Sequence, residues 1–311
     1  MSYLIANDYL KQIQDANLQQ LISANTNIMS AAELAAEAEA ISMLAQKFDT
    51  DAEFTDTNPW VITNTYQALD RVYLDAPAYN PTQTYNTGAY ALQGAVIYVC
   101  AVSGTTGTFN SANWALVGNQ YDLYYAAPPF PQFDLYGVYK KGDKVFWNNE
   151  TYTCQLPTVL VNHETELQAR VIQHSPTTNI FPDDPASGPI YWGTGTPYSV
   201  PANTNISNTT YWTPGDNRDQ QMLQKVIDIA LYHLHARIAP RNIPELRITR
   251  YLGQDKDRGM NTGGIVYPIY SALGWLQACA RGEVTPQLPV LQPKQGARVR
   301  YGGNVKAINS Y

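Results

Sequence analysis

What most constrains this chain is where its hydrophobic period changes. Apolar residues recur at helical spacing near both ends. From about residue 58 to 214, short β-branched and aromatic runs alternate instead with Gly, Pro and Asn clusters. Near the start, Asn7 or Asp8 is placed to cap a short helix holding Leu10, Ile13 and Leu18. Ser30-Ala31-Ala32-Glu33 then reads as a capping box, followed by a narrow apolar stripe of Leu34, Ala38, Ile41, Ala45 and Phe48. Beyond the β-like stretch, Met222, Leu223, Val226, Ile227, Ala230, Leu231, Leu234 and Ile238 form a longer stripe that Pro240 stops. A last helix is predicted from Val266 to Arg281, with Ile269, Leu273, Leu276 and Ala280 on one face and Gly282 as C-cap.

Neither helical end carries enough apolar surface to be a domain alone. The fold class predicted is therefore α+β: a small helical bundle formed by both chain ends, 1–57 plus 215–286, with a β-rich region inserted between them. Two stretches of that region echo each other. Tyr90, Gly94-Ala95-Val96, Tyr98-Val99-Cys100 and Trp114 run parallel to Tyr139, Gly142-Asp143-Lys144-Val145, Tyr152-Thr153-Cys154 and Trp192 or Trp212. They predict two small modules, 58–130 and 131–214, the second enlarged by an insertion with a short helix near Glu164–Ile172. The segment 287–311 holds Lys294, Arg298, Arg300 and Lys306, and no acidic residue follows Glu283, so it reads as an extended basic arm.

Composition narrows the function classes. Charged residues are 15%, and their place is taken by 23 Tyr, 20 Gly and 20 Pro, which suits β-structure with punctuated loops rather than disorder. The net charge of −6 argues against a general nucleic-acid binder. Cys100, Cys154 and Cys279 are too scattered for a disulfide framework or a zinc site. Met1–Asp8 lacks a signal-peptide pattern, and the apolar run Val96–Val102 is far short of the roughly 20 residues that span a bilayer. A chain made in a cytoplasm, with no membrane partner, is expected.

Chemistry-bearing constellations are weak. His233 and His235 face opposite sides of one helix, and His163 and His174 have no recognisable partner. Asp255-Lys256-Asp257-Arg258-Gly259 lacks the closing Glu of a calcium loop, and Asp183-Asp184 between prolines reads as a turn. No catalytic residue, cofactor or metal site is predicted. Two groups stand out as contact residues. The rings Trp114, Trp147, Trp192, Trp212, Tyr90, Tyr98, Tyr139 and Tyr152 suit stacking on sugars, or simply a small β-core. The basic residues Arg237, Arg241, Arg247, Arg250, Lys256 and Arg258, with those of the tail, form a partner-binding block within an acidic chain.

Tyr3-Leu4-Ile5-Ala6-Asn7-Asp8-Tyr9-Leu10, the small-residue helix Ala31–Phe48, the helix Leu223–Arg237, and Ala272-Leu273-Gly274-Trp275-Leu276 followed by Ala280-Arg281-Gly282-Glu283 and Pro286-Gln287-Leu288-Pro289 occur in a telling order. This order resembles the small helical head–tail connector proteins of tailed bacteriophages, which usually lack a long β insertion. The resemblance implies a non-enzymatic virion protein at the head–tail junction. It would form a homo-oligomeric ring that contacts the portal, other tail or capsid proteins and DNA passing through the lumen. The inserted modules are similar to small chitin-binding-type carbohydrate-binding modules through Tyr139, Gly142-Asp143, Val145 and Tyr152. This implies the alternative, a carbohydrate-binding decoration or adhesin.

Overall fold

The computed structural model describes residues 3–22, 26–134, 137, 139–156, 182–183, 191–261 and 264–289. It is a mixed α+β chain with several small sheets. Its described residues fall into two compact units, 3–129 with 198–289, and the part of 130–197 just given. The predicted helix near Glu164–Ile172, His163, His174 and Asp184 lie outside the described residues.

The first unit opens with a 3-10 turn, Ala6–Lys11, then helices α1 (Asp15–Ile22), α2 (Thr26–Leu44) and α3 (Thr50–Glu53). After the β-rich stretch come α4 (Gln220–Ile238), α5 (Glu245–Leu252) and α6 (Ala272–Arg281). Ala32, Ala36, Ala40, Leu44 and Phe48 share one hydrophobic core with Met222, Leu223, Val226, Ile227, Leu231 and Leu234 of α4 and Leu273 and Leu276 of α6. Residues from opposite ends of the sequence are thus direct neighbours.

Three local expectations change. Helix α2 begins at Thr26, so Ser30 sits inside it and caps nothing, while Glu33 turns inward and accepts the Tyr9 hydroxyl at 2.9 Å. Most of the predicted stripe does not face the core: Leu34 is 57% exposed, Ala38 and Ala45 are exposed and Ile41 is half-buried, with Phe48 alone buried, whereas the row Ala32, Ala36, Ala40, Leu44 is buried. Apolar residues surround much of α2, so periodicity could not choose a face. The methyl row wins because it lets the helix axes approach closely. Lastly, residues 266–271 are not helical. They finish a hairpin of β11 (Gly259–Asn261) and β12 (Gly264–Val266), and Ser271 Oγ caps α6 by accepting from Gly274 N at 3.1 Å. Pro268 cannot sit inside that helix, and its carbonyl lies 2.0 Å from where a Cβ on Gly274 would stand, so the turn needs glycine there. Ile269 and Ala280 are accordingly exposed.

The β-rich stretch uses one module three times rather than two. In each copy an aromatic residue is followed six positions on by a tyrosine whose hydroxyl returns to the backbone. Tyr66 binds Val61 N at 2.7 Å, Tyr85 binds Asn80 N at 2.8 Å, and Tyr139 binds Asp134 N at 2.6 Å. Three residues later the chain turns through a left-handed residue, Leu69 (φ 71°), Gly88 (90°) or Gly142 (97°). The N–H of that residue donates to Ala126, Cys100 or Cys154 at 2.9, 2.9 and 2.8 Å. The hairpin register repeats as Val72 opposite Tyr124, Ala91 opposite Tyr98 and Val145 opposite Tyr152. Trp212, Trp114 and Trp192 close the three cores.

The first copy is discontinuous. Strands β1 (Thr57–Pro59), β2 (Arg71–Tyr73), β6 (Leu123–Ala126) and β10 (Trp212–Pro214) make one sheet in that order. The second copy, with β3 (Tyr90–Gln93), β4 (Val96–Cys100) and β5 (Trp114–Asn119), interrupts the hairpin between β2 and β6. The third, with β7 (Lys144–Trp147), β8 (Glu150–Thr153) and β9 (Thr196–Pro197), interrupts the loop between β6 and Val200, whose backbone pairs with Tyr66. Residues 198–214, expected in the module 131–214, therefore complete the sheet begun at residue 57. The counterpart of Tyr139 and Gly142 is Tyr85 and Gly88, not Tyr90 and Gly94.

Candidate functional site

The repeat sorts the aromatic candidates. Trp114 is packed by Tyr85 (5.1 Å between ring centroids), Tyr79 (5.6 Å) and Phe109 (5.7 Å), Trp212 by Tyr66 (5.1 Å), and Trp192 by Tyr139 (4.9 Å) and Phe133 (5.5 Å). All three tryptophans are buried at the same module position, so they are core rings and do not face a ligand. Tyr152 is buried too. Its hydroxyl donates to Glu150, and burial, then that carboxylate, push its pKa up. Tyr139, half-buried, is occupied by its own turn, and the Asp143 carboxylate accepts from Lys140 N at 2.7 Å. Asp70 does the same for Gln67 N in the first copy, so the acid of the Gly-Asp motif is turn chemistry. Trp147 differs. It is half-buried at the end of β7, 5.5 Å from Phe133, and at its position the other copies carry Leu74 and Gln93. Asn148 and Asn149, both at positive φ, turn the chain beside it.

The basic candidates divide as well. Arg237 is exposed at the C-terminal end of α4, where its guanidinium meets the His233 carbonyl at 3.4 Å, and Arg241 is exposed just beyond. Lys294, Arg298, Arg300 and Lys306 lie outside the described residues. Leu288, assigned by sequence to the arm, is buried in the helical core, and the Pro289 carbonyl accepts from Asp49 N at 2.8 Å.

Periodicity gave no hint of the charged groups buried in the first unit. Arg218 grips Asp8 with both terminal nitrogens (2.8 and 3.0 Å), Asp216 through Nε (2.8 Å) and the Tyr3 carbonyl (2.7 Å). Burial opposes the charged form of Asp216, but Arg218 outweighs it and holds the carboxyl below its usual range. Arg71 meets Glu53 at 3.5 Å and Asn217 at 2.6 Å, and Tyr3 donates to Glu53 at 2.8 Å. Glu39 binds His233 (3.1 Å) and Tyr251 (2.8 Å). A buried Asp or Arg found through a partner about two hundred residues away leaves no local pattern to read.

Other chemistry is sparse. The three thiols are buried, and burial pushes Cys279 up to about 12, so it is a poor nucleophile at neutral pH. Asp255 pairs with Arg258, and Asp257 accepts the Tyr270 hydroxyl. Among the described residues no group of three or more His, Cys, Asp or Glu side chains is placed to hold a metal, and no helix is long and apolar enough to cross a membrane. No protein-family model matches the chain, and neither does any curated protein.

Proposed function

We propose that the chain is a head-to-tail connector of a tailed-phage virion, whose copies form a ring below the portal and bridge capsid and tail. The observation that carries this reading is the shared core of α2, α4 and α6, locked by Arg218 on Asp8. Helices from the early and late parts of the chain share one core. Such a core can host β-modules in a connection without being disturbed, because each guest returns the chain near where it left. Function is then geometry, a cyclic interface repeated by symmetry. Exposed Arg237 and Arg241 and the basic residues after Pro289 contact partners, and the modules brace tail or capsid proteins.

Imaging the purified chain mixed with isolated portal assemblies tests this. A ring coaxial with the portal is expected, and a chain that leaves the portal bare would end the reading. Truncation belongs after Pro289, given the packing of Leu288, and should spare helix content while abolishing incorporation. Trp147 favours a second reading, a glycan-binding decoration. Retention on chitin that disappears in Trp147→Ala would support it over the connector.

A further inference from the structure

Three arginines are buried among the described residues: Arg71 (5% exposed), Arg218 (3%) and Arg247 (8%). Two are matched by carboxylates, Arg71 by Glu53 and Arg218 by Asp8 and Asp216. Arg247 is not. Its sole hydrogen-bond acceptor among the described residues is Gln12 Oε1 at 3.4 Å, which Arg250 already holds at 2.6 Å. Around it the balance is poor. Lys225, Arg247 and Arg250 all lie within electrostatic reach of the single carboxylate of Asp228, which pairs with Arg250 through Oδ1 at 3.5 Å and also interacts with Gln12, so three cations share one acid. Burial and then the neighbouring Arg250 push Arg247 below its ordinary pKa, against the pull of Asp228. A guanidinium carries five N–H donors in a planar fork shaped for a planar oxyanion, and burying it unmatched costs stability.

We propose that Arg247, with Arg250 and Lys225 beside it, is a receptor for a carboxylate side chain of a partner protein. The fork takes the two oxygens and the flanking cations supply the remaining field. At 8% exposure Arg247 is unlike the cations that meet duplex phosphates, which stand out from the surface. The net charge of −6 further favours a protein over nucleic acid and gives a second copy of this chain acidic side chains to offer. That the partner is an assembly partner rests on the connector reading; the receptor itself does not.

Full-length wild type, Arg218→Met, Arg247→Met and Arg247→Lys decide it. Arg218→Met should lower the melting midpoint, because it strands Asp8. Arg247→Met should leave the midpoint unchanged or raise it, because it removes a buried charge that no carboxylate holds in an ion pair, while Asp228 keeps Arg250. At equal ionic strength, acetate should raise the wild-type midpoint above that in chloride by about 2 °C or more. Arg247→Met should abolish the rise and Arg247→Lys should at least halve it. A fall for Arg247→Met as large as that for Arg218→Met, or no acetate-specific rise, overturns the receptor. A rise with inorganic phosphate but not acetate overturns the carboxylate in favour of phosphate. If a folded Arg247→Met chain still joins portal rings normally, the assignment of the receptor to an assembly partner falls, the connector reading stands, and the acetate comparison decides the receptor. If the wild type joins no ring, the connector reading falls and the acetate comparison still decides the receptor.

Discussion

Arg218→Met probes the link between the two ends of the chain. In the folded state this side chain makes five hydrogen bonds, two to Asp8, two to Asp216 and one to the Tyr3 carbonyl. Breaking a buried pair by removing one partner costs about 3–5 kcal/mol, since the stranded charge stays buried. Asp8 keeps the Ile5 N–H at 2.9 Å and sits 3.8 Å from Lys11, which places the expected cost at the lower end, about 3 kcal/mol. Asp8→Asn with Arg218→Met should recover part of this, leaving a coupling of about 2 kcal/mol in a double-mutant cycle. The assay is urea unfolding followed by helical ellipticity. Its pH dependence has a definite sign. Arg218 holds the Asp216 carboxyl below the ordinary aspartate range in the folded state, so its contribution is present above the unfolded pKa and lost as pH falls through the folded pKa. The penalty of Arg218→Met should therefore be full at neutral pH and shrink below about pH 4. A cost under about 1 kcal/mol with an additive cycle would refute the claim that residues 3–9 and 216–219 are joined in solution.

Gly88→Ala and Gly142→Ala should each cost about 1 kcal/mol through backbone strain alone, because a Cβ at either site meets nothing within 4 Å. Leu69→Gly, at the equivalent turn, should change thermal stability by less than about 1 kcal/mol, as relieved strain offsets the lost half-buried side chain. Trp114→Ala and Trp212→Ala should lose about 3–5 kcal/mol in denaturant unfolding. Trp147→Ala should lose clearly less, since that ring is half-exposed. In α2, Ala36→Leu should cost about 1–3 kcal/mol by overpacking, while Leu34→Ala should stay within about 0.5 kcal/mol. The opposite order would restore the stripe read from periodicity.

The repeated module shows how a one-dimensional motif can hide. Its second and third copies run continuously enough for Tyr98-Val99-Cys100 and Tyr152-Thr153-Cys154 to stand out, yet the sequence offers two Tyr-then-Gly candidates for the aligned turn, Tyr90 with Gly94 and Tyr85 with Gly88, and only the fold picks Gly88. The first copy carries Trp60, Tyr66, Asp70, Val72, Tyr124 and Trp212 at these positions, matching the third closely at Asp143 and Val145 and the second less, which has Ala89 and Ala91. The other two copies lie between its strands in the chain, and Leu69 stands where the other copies have the turn glycine, so no local window contains the pattern.

Sequence alone determined that the helices lie toward both ends and the strands between, though not the helix Glu245–Leu252 or the start of the last helix, because backbone propensity and hydrophobic period act over a few residues. It also determined where several elements stop, at Pro240 and at the left-handed Gly282 (φ 82°). Tertiary structure decided which face of α2 is inside, because the Ala32–Leu44 row becomes the better face only when α4 lies against it. It decided that Trp114, Trp192 and Trp212 are core rings, and that Arg218 is matched while Arg247 is not. Burial and charge pairing depend on groups far apart in the chain, and the order of residues carries no record of those distances.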